Sequence, residues 1–223
     1  MGAEFSKVFE RTPSGEFVGL GVDVIRALAA QTKDTVRFEI YPWPRAQAMV
    51  ELGQADILIG PYKTPEREER FSFLDRPFYQ DRMVFFARSG NPIAWTGNFD
   101  SLKGIHIAAV SGWVYGSAFD HARRQLRVSN APKPENGVLM LVHGHVDLLA
   151  ANRRNIEPVL AALRLTNSVT ELAPIVDVQN GYLAFPRKVL FDAMRLRYNQ
   201  AFNELVERGE LTRLGRKHDV QVP

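Results

Sequence analysis

The sequence predicts an α/β fold with a mainly parallel sheet, arranged as two lobes. Short apolar segments typical of strands alternate along the whole chain with amphipathic segments typical of helices. A turn-rich break, Arg-Ser-Gly-Asn-Pro at residues 88–92, separates two such series. The chain has 223 residues, 45% of them hydrophobic, which suffices for one large domain or for two lobes of roughly 100 residues each.

The first series contains a helix boundary that is well marked by its residues. Thr64 suits a helix N-cap and Pro65 suits the first turn, which places Glu66 and Arg67 just beyond the carboxyl end of a buried strand. The predicted elements around it are a helix carrying Val22, Ile25, Leu28 and Ala29, a strand at residues 36–41, a helix from Pro44 to Gly53 with Ala48, Met49 and Leu52 facing inward, and strands at residues 55–60 and 83–87.

The second series repeats the strand–helix rhythm without a direct sequence repeat. The predicted strands are residues 105–110, 146–150, 169–172 and 182–185, and the predicted helices are residues 113–126, 138–142, 156–163, a long helix with Leu190, Met194, Tyr198, Ala201, Phe202 and Leu205 on one face, and residues 211–218. We interpret the series as a double crossover, with lobe 1 formed by residues 1–88 plus 185–223 and lobe 2 by residues 89–184. A ligand is then expected beyond the strand carboxyl ends, where clefts form.

Composition and charge exclude several functional classes. The chain has no cysteine, so disulfides, thiol nucleophiles and thiolate metal sites are excluded. The net charge is +3 and the basic residues are scattered among acids, so nucleic-acid binding is not expected. No apolar run approaches the ~20 residues of a membrane helix. Residues 1–7 lack a signal-peptide core, so an exported protein would be present here in its mature or trimmed form.

No catalytic, cofactor or metal signature is apparent. There is no phosphate-binding glycine loop and no G-x-S-x-G serine elbow. His143 and His145 flank a glycine, but two histidines without a third ligand are a weak metal signal. We therefore expect a binding protein rather than an enzyme, without catalytic residues, metal or cofactor.

Three stretches together resemble one known family. They are G-L-G-V-D-V at residues 19–24, then G-Q-A-D-I-L-I-G, T-P-E-R and F-S-F-L-D-R-P-F-Y within residues 53–79, and L-K-G-I-H-I-A-A-V-S-G at residues 102–112 followed by G-H-V-D at residues 144–147. This order and spacing resembles the polar amino-acid-binding family of ABC-transporter solute receptors, the family 3 extracellular solute-binding proteins. The resemblance covers nearly the whole chain from residue 8 onward.

The resemblance implies a type II periplasmic binding protein fold, with two Rossmann-like lobes joined by a two-strand hinge at residues 86–91 and 182–186. Such lobes close over one small solute by a hinge motion. It also implies a periplasmic location, a small polar or carboxylate ligand and a membrane permease of an ABC transporter as partner. We expect a monomer. Residues 1–7 are short for the first strand of the family fold. The strands on either side of that position are therefore expected to lack a hydrogen-bonding partner. If the N-terminus is truncated, another chain is expected to supply the missing strand by exchange.

The resemblance places four candidate ligand-binding residues in lobe 1. Arg67 corresponds to the arginine that grips the ligand carboxylate; the alternative is a helix-surface arginine paired with a neighbouring glutamate. Gly60 and Tyr62 lie in the turn whose backbone amides help to hold that carboxylate, although Tyr62 replaces a small hydroxyl residue and could simply pack under the loop. Trp43 is expected to wall the pocket, unless it packs in the core.

Lobe 2 supplies four further candidates, and these depart from the family pattern. Gly112 is followed by Trp113 and Val114 where the family has small hydroxyl residues, which leaves only backbone amides at an expected helix start. Asn152 replaces the aspartate that takes the ligand's ammonium group, and it equally suits an N-cap. The ligand is then a carboxylate lacking an α-ammonium group or a bulky derivative, or binding has been lost.

Three alternative functions use similar folds. One is the ligand-sensing domain of a membrane-bound signalling protein. A second is a periplasmic dehydratase-like enzyme, which needs an acid in the cleft, for which Glu66 is the available residue. A third is the effector domain of a transcription regulator.

Overall fold

Two ten-residue strands carry the chain between its two units. The computed structural model describes all residues from 1 to 223, and it divides into unit 1, Met1–Gln80 with Asn180–Pro223, and unit 2, Asp81–Gln179. Both crossings lie close to the first residues of long strands, Tyr79–Arg88 and Asp177–Pro186, whereas the sequence-based boundaries 88/89 and 184/185 lie at or near the last residues of the same strands. The division into lobes 1–88 plus 185–223 and 89–184 therefore stays a prediction.

The elements follow one another in the alternating order that the sequence predicts. They are β1 (Glu10–Arg11), β2 (Phe17–Val18), α1 (Leu20–Thr32), α2 (Trp43–Glu51), β3 (Leu58–Tyr62), α3 (Pro65–Arg70), β4 (Phe71–Phe73), β5 (Tyr79–Arg88), β6 (His106–Val110), α4 (Ser117–Ala122), β7 (Arg127–Ala131), α5 (Pro134–Val142), β8 (Leu148–Asn152), α6 (Arg153–Leu163), β9 (Val169–Glu171), β10 (Asp177–Pro186), α7 (Asp192–Glu207) and α8 (Glu210–His218), with 3₁₀ turns at Phe99–Leu102 and Val189–Phe191. No helix combines the length and apolarity needed to cross a membrane.

In unit 1, β10 pairs antiparallel with both β3 and β4. The first residues of the chain lie beside β3 and Ile40. The Met1 carbonyl accepts the Ile59 N–H, and Gly2 forms a parallel bridge with Ile40. The neighbours of the expected first strand therefore do have partners within the chain. The prediction of a strand at residues 36–41 is wrong, because only Ile40 is bridged and the rest of that segment makes no ladder.

The core of unit 1 lies between α1, α7 and the sheet. The predicted inward residues Tyr198, Phe202 and Leu205 of α7 are buried in one cluster with the apolar face of α1. Leu190, predicted on the same face, is instead 86% exposed and lies in the 3₁₀ turn before α7. For α2, however, the predicted inward positions are wrong for Ala48 and Leu52, which are exposed, while Met49 is half-buried and packs against the core. Ala46 and Val50 are the buried positions, one helical turn apart, and Leu52 is 61% exposed.

In unit 2, β6 lies between β7 and β8 in parallel register, and β8 and β9 pair antiparallel with β5. Alternate side chains of a strand point to opposite faces of a sheet. Accordingly, Phe85 and Ala87 belong to one buried cluster, and Val84 and Phe86 belong to another. The sheet of unit 2 is thus covered by apolar packing on both faces.

The prediction of a helix over residues 113–126 is only partly right, because α4 begins at Ser117. The preceding segment is held in a non-helical course by Tyr115, which is fully buried and whose hydroxyl accepts the Val110 N–H at 2.6 Å. Gly112 and Gly116 allow this course, since both have positive φ, at 76° and 101°. Trp113 and Val114 therefore do not lie at a helix start.

Candidate functional site

Arg67 is a buried cation held at the start of a short helix in unit 1. The Thr64 hydroxyl accepts the Arg67 N–H at 3.2 Å, which fixes the first turn of α3 as the sequence predicts. The side chain is only 8% exposed, and its Nη1 donates to the Tyr62 carbonyl at 2.9 Å. Its guanidinium lies 5.5 Å from the centre of the Trp43 ring. One contact to a carbonyl and one to an aromatic face thus orient the cation.

Arg67 has no carboxylate partner in the structure. The neighbouring acids are paired with other cations, Glu68 with Lys63 at 3.1 Å and Glu51 with Arg70 at 2.6 Å. The expected alternative, a surface arginine paired with a nearby glutamate, does not describe this geometry. Burial lowers the pKa of Arg67 below its ordinary value, because the charged form is poorly solvated there. Such a cation interacts favourably with an anion that enters its surroundings.

Gly60 and Tyr79 form a second fixed contact beside Arg67. The backbone of Gly60 has φ of +88°, a conformation that favours glycine, and its carbonyl accepts the Tyr79 hydroxyl at 2.8 Å. Tyr79 in turn needs the space above Gly181, where an added Cβ would lie 1.8 Å from the Tyr79 ring. Sequence reasoning missed both Tyr79 and Gly181. The P-F-Y run contained Tyr79, but no sequence signal marks Gly181 as a contact of that ring.

Aromatic side chains surround the unit 1 candidates. The ring of Phe5 meets the ring of Trp43 edge to face at 5.3 Å, and the rings of Tyr62 and Tyr79 lie 6.2 Å apart. The four predicted residues of unit 1 therefore lie in one neighbourhood: Trp43, Gly60, Tyr62 and Arg67. Phe5 is an addition that its poorly patterned segment did not suggest.

In unit 2, Asn152 is the N-cap of α6, the alternative that its sequence position suggested. It is 1% exposed, and its Oδ1 accepts both the backbone N–H and the side-chain amide of Asn155, at 3.0 and 2.9 Å. Gly112, Trp113 and Val114 form the irregular segment before α4, so the expected clamp of helix-start amides is absent there. The ligand roles of all four residues stay predictions.

Two other features lie away from these candidates. An open cavity of about 830 Å³ in unit 1 is lined by Glu4, Arg11–Gly15, Phe17 and Phe38–Tyr41, and by none of the candidate residues. The rings of His143 and His145 in unit 2 have centroids 6.2 Å apart, and no third His, Cys, Asp or Glu joins them in a metal-binding group.

The family profile of the bacterial extracellular solute-binding proteins, family 3, matches residues 5–220. The chain belongs to this family. Membership agrees with the resemblance carried by the G-x-A-D, T-P-E-R and P-F-Y motifs, and it confirms that prediction. By contrast, no individually curated protein matches the sequence significantly.

Several solved structures share the fold of this chain. One is a histidine kinase sensor domain with similarity to periplasmic binding proteins (TM-score 0.86, 20% identity, covering 100% of this chain and 96% of that chain). A second is the arginine-, lysine-, histidine-binding protein ArtJ from Geobacillus stearothermophilus (TM-score 0.77, 17% identity, 97% and 92%). A third is an ABC uptake transporter substrate-binding protein from Streptococcus pneumoniae with bound histidine (0.77, 17%, 97% and 89%). The predicted type II periplasmic binding protein fold is confirmed.

Proposed function

We propose that the protein is an extracytoplasmic receptor that captures a small carboxylate-bearing ligand, an amino acid or a derivative of one, for the membrane permease of an ABC transporter. The observation that carries the proposal is Arg67, a buried guanidinium that has no carboxylate partner of its own. A guanidinium matches a carboxylate bidentately, and charge-assisted hydrogen bonds of this kind are the strong ones.

The contacts of Arg67 prepare it for that role. Nη1 is occupied by the Tyr62 carbonyl, which leaves the other N–H groups of the fork for a ligand. Trp43 lies beside the guanidinium, so a carboxylate would approach in the plane of the fork rather than from that face. Because these contacts exist without ligand, little side-chain freedom is lost on binding, which favours affinity.

Further contacts with the ligand are assigned to the remaining candidates. Gly60 and Tyr62 would contribute backbone amides beside Arg67, and Tyr62 also contributes its ring. From unit 2, we propose contributions from Gly112, Trp113, Val114 and Asn152, whose bulk and neutral amide differ from the family's usual hydroxyls and aspartate. The supporting relatives are proteins whose names include arginine, lysine or histidine binding, all ligands with a carboxylate.

A thermal-shift screen against amino acids, opines, organic acids and aromatic carboxylates tests this function. A ligand at 100 times its Kd adds about 2.7 kcal/mol to the folded state, and this raises Tm by roughly 2–4 °C per kcal/mol for a chain of this size. At least one carboxylate is expected to raise Tm, whereas its amide counterpart is not. A screen in which only ligands without a carboxylate raise Tm would contradict the proposal.

The second candidate function is a ligand-sensing domain of a membrane-bound signalling protein. The structural similarity to a histidine kinase sensor domain favours this function. The two structures have a TM-score of 0.86, and the match covers 96% of the sensor domain. The same Arg67 site would serve, with the bound state read by an attached domain instead of a permease. The complete reading frame discriminates the two: a membrane helix followed by a kinase or cyclase domain supports sensing, and a neighbouring permease gene supports transport.

A further inference from the structure

Two consecutive aliphatic side chains in unit 1 are almost fully exposed. Val189 is 88% exposed and Leu190 is 86% exposed, and both lie in the 3₁₀ turn between β10 and α7. They are the two most exposed large hydrophobic residues of the chain. Single exposed aliphatic residues are common on protein surfaces, whereas neighbouring ones that form a patch mark interaction sites.

The turn is fixed to the rest of unit 1, so the exposure of its residues does not come from a loose loop. Phe191, its last residue, is buried, and a Cβ added to Gly53 would lie 3.2 Å from the Phe191 ring. The Phe191 N–H donates to the Lys188 carbonyl at 2.9 Å, and the Lys188 ammonium donates to the Leu52 carbonyl at 2.6 Å. These contacts bring the end of α2 beside the turn, where Leu52 is exposed as well. The aliphatic patch is formed by Leu52, Val189 and Leu190.

Cations that lack a carboxylate partner border the aliphatic patch. Arg187 donates to a backbone carbonyl of α3 and Lys188 to the one at the end of α2, and neither forms an ion pair. The nearby carboxylate of Glu51 is bound by Arg70 at 2.6 Å, which is the main cause of its lowered pKa, with a smaller contribution from Lys188. Residues 187–197 carry four basic side chains and one acidic side chain. The border of the patch is therefore positively charged.

The size of the aliphatic patch favours a membrane over a protein as its partner. Three aliphatic side chains expose on the order of a few hundred Å², whereas a stable protein interface buries about 800 Å² on each partner. The patch also has no aromatic residue of the kind that dominates binding at protein interfaces. A membrane surface needs no such area, because insertion of apolar side chains and attraction of basic residues to anionic headgroups add to each other.

We propose that this turn is a contact surface for an anionic phospholipid membrane. Val189 and Leu190 insert at the boundary between headgroups and acyl chains, and Arg187 and Lys188 lie among the headgroups. Binding of this kind is weak and reversible, since few side chains insert. It would hold the receptor close to the membrane that contains its permease or its attached signalling domain. The inference does not depend on Arg67, and its test needs no carboxylate ligand.

Co-sedimentation of the full chain with lipid vesicles tests the proposal. Vesicles of equimolar phosphatidylcholine and phosphatidylglycerol are expected to bind the protein, and vesicles of phosphatidylcholine alone are not. Val189→Ser/Leu190→Ser is expected to weaken binding about tenfold or more, because the inserted aliphatic surface is lost. Leu163→Ser is the control, since it removes an exposed aliphatic side chain of unit 2, and it should bind as the unaltered protein does.

A pair of charge variants tests the basic border of the patch. Arg187→Gln/Lys188→Gln is expected to weaken binding to the anionic vesicles about 30-fold at low salt, because each basic residue at such a surface contributes a factor of about five. Lys103→Gln/Arg213→Gln removes the same net charge from two exposed cations that are paired with acids elsewhere. This control should bind at least several-fold better than the first variant, and equal weakening by both would overturn the assignment to this turn.

A fluorescent label shows whether the turn itself enters the membrane. The chain has no cysteine, so Leu190→Cys gives a single attachment site for an environment-sensitive dye. Its emission is expected to shift to the blue when anionic vesicles are added, while the same dye on Leu163→Cys should not respond. Because the side chain of Leu190 points outward, this variant remains informative if a double variant fails to fold, which melting curves check.

Three results would overturn the proposal. The first is equal sedimentation with neutral and anionic vesicles, or sedimentation with neither. The second is binding to anionic vesicles without a change in emission at position 190. The third is a dimer of the unaltered protein in analytical ultracentrifugation that Val189→Ser/Leu190→Ser abolishes, which would assign the patch to a second copy of the chain.

Discussion

Replacing Tyr115 with phenylalanine tests how the irregular segment before α4 is held. The substitution keeps the buried ring and removes only the hydroxyl, which accepts the Val110 N–H at 2.6 Å. That N–H then stays buried without a partner, which costs about 1–3 kcal/mol. At about 2–4 °C per kcal/mol for a chain of this size, Tm is expected to fall by several degrees.

Hydrogen exchange locates the same effect in the structure. The Val110 amide is expected to exchange faster in Tyr115→Phe, and amides of Gly112 to Tyr115 should follow, because the hydroxyl no longer fixes the turn that leads to Trp113. Tyr182→Phe, which removes a hydroxyl without a hydrogen bond, should change Tm little. Unchanged Tm and unchanged Val110 exchange in Tyr115→Phe would refute the assignment of this turn to the Tyr115 hydroxyl.

Two further predictions concern packing and charge in unit 1. Gly181→Ala places a Cβ within 1.8 Å of the Tyr79 ring, so the urea midpoint should fall by the equivalent of about 1–3 kcal/mol or more, and an unaltered midpoint would contradict the close contact. Asp23→Asn should destabilise the protein at neutral pH. Burial alone raises the pKa of Asp23, but hydrogen bonds from Lys217 and His218 outweigh it and lower the pKa below 3.8. Since the folded-state pKa lies below the unfolded one, this stabilisation is present above the unfolded pKa and is lost as pH falls through the folded pKa. The stability difference between the two proteins, measured by urea unfolding at several pH values, should therefore shrink below pH 3.8, and a difference that grows on acidification would contradict the sign.

Patterns in the sequence predicted those parts of the fold that depend on local spacing. The apolar positions of α1 and α7 and the cap of α3 are of this kind, because each follows from residues within a few positions of one another. The strand expected at residues 36–41 failed because pairing depends on a distant partner, and Gly2 reaches only Ile40. Strand propensity alone does not supply a neighbouring strand.

The candidate site, like the fold, was predicted only in part from the sequence. Arg67 was found through the T-P-E-R motif, and its burial without a carboxylate partner was visible only in the structure. The hydroxyl of Tyr115, which keeps Trp113 out of a helix, acts through a hydrogen bond that no spacing rule reveals. Gly181 was missed because its role, leaving room for the ring of Tyr79, comes from residues about a hundred positions apart.

Titration of a bound carboxylate into Arg67→Met tests the central claim most directly. Arg70→Met is the matched control, because Arg70 lies on the same short helix but is paired with Glu51. Removing the charged partner of a buried carboxylate costs about 2–5 kcal/mol, so Kd for Arg67→Met is expected to rise about 30-fold or more, while Arg70→Met binds as the unaltered protein does. Unchanged affinity in an Arg67→Met variant that melts normally without ligand would contradict the account.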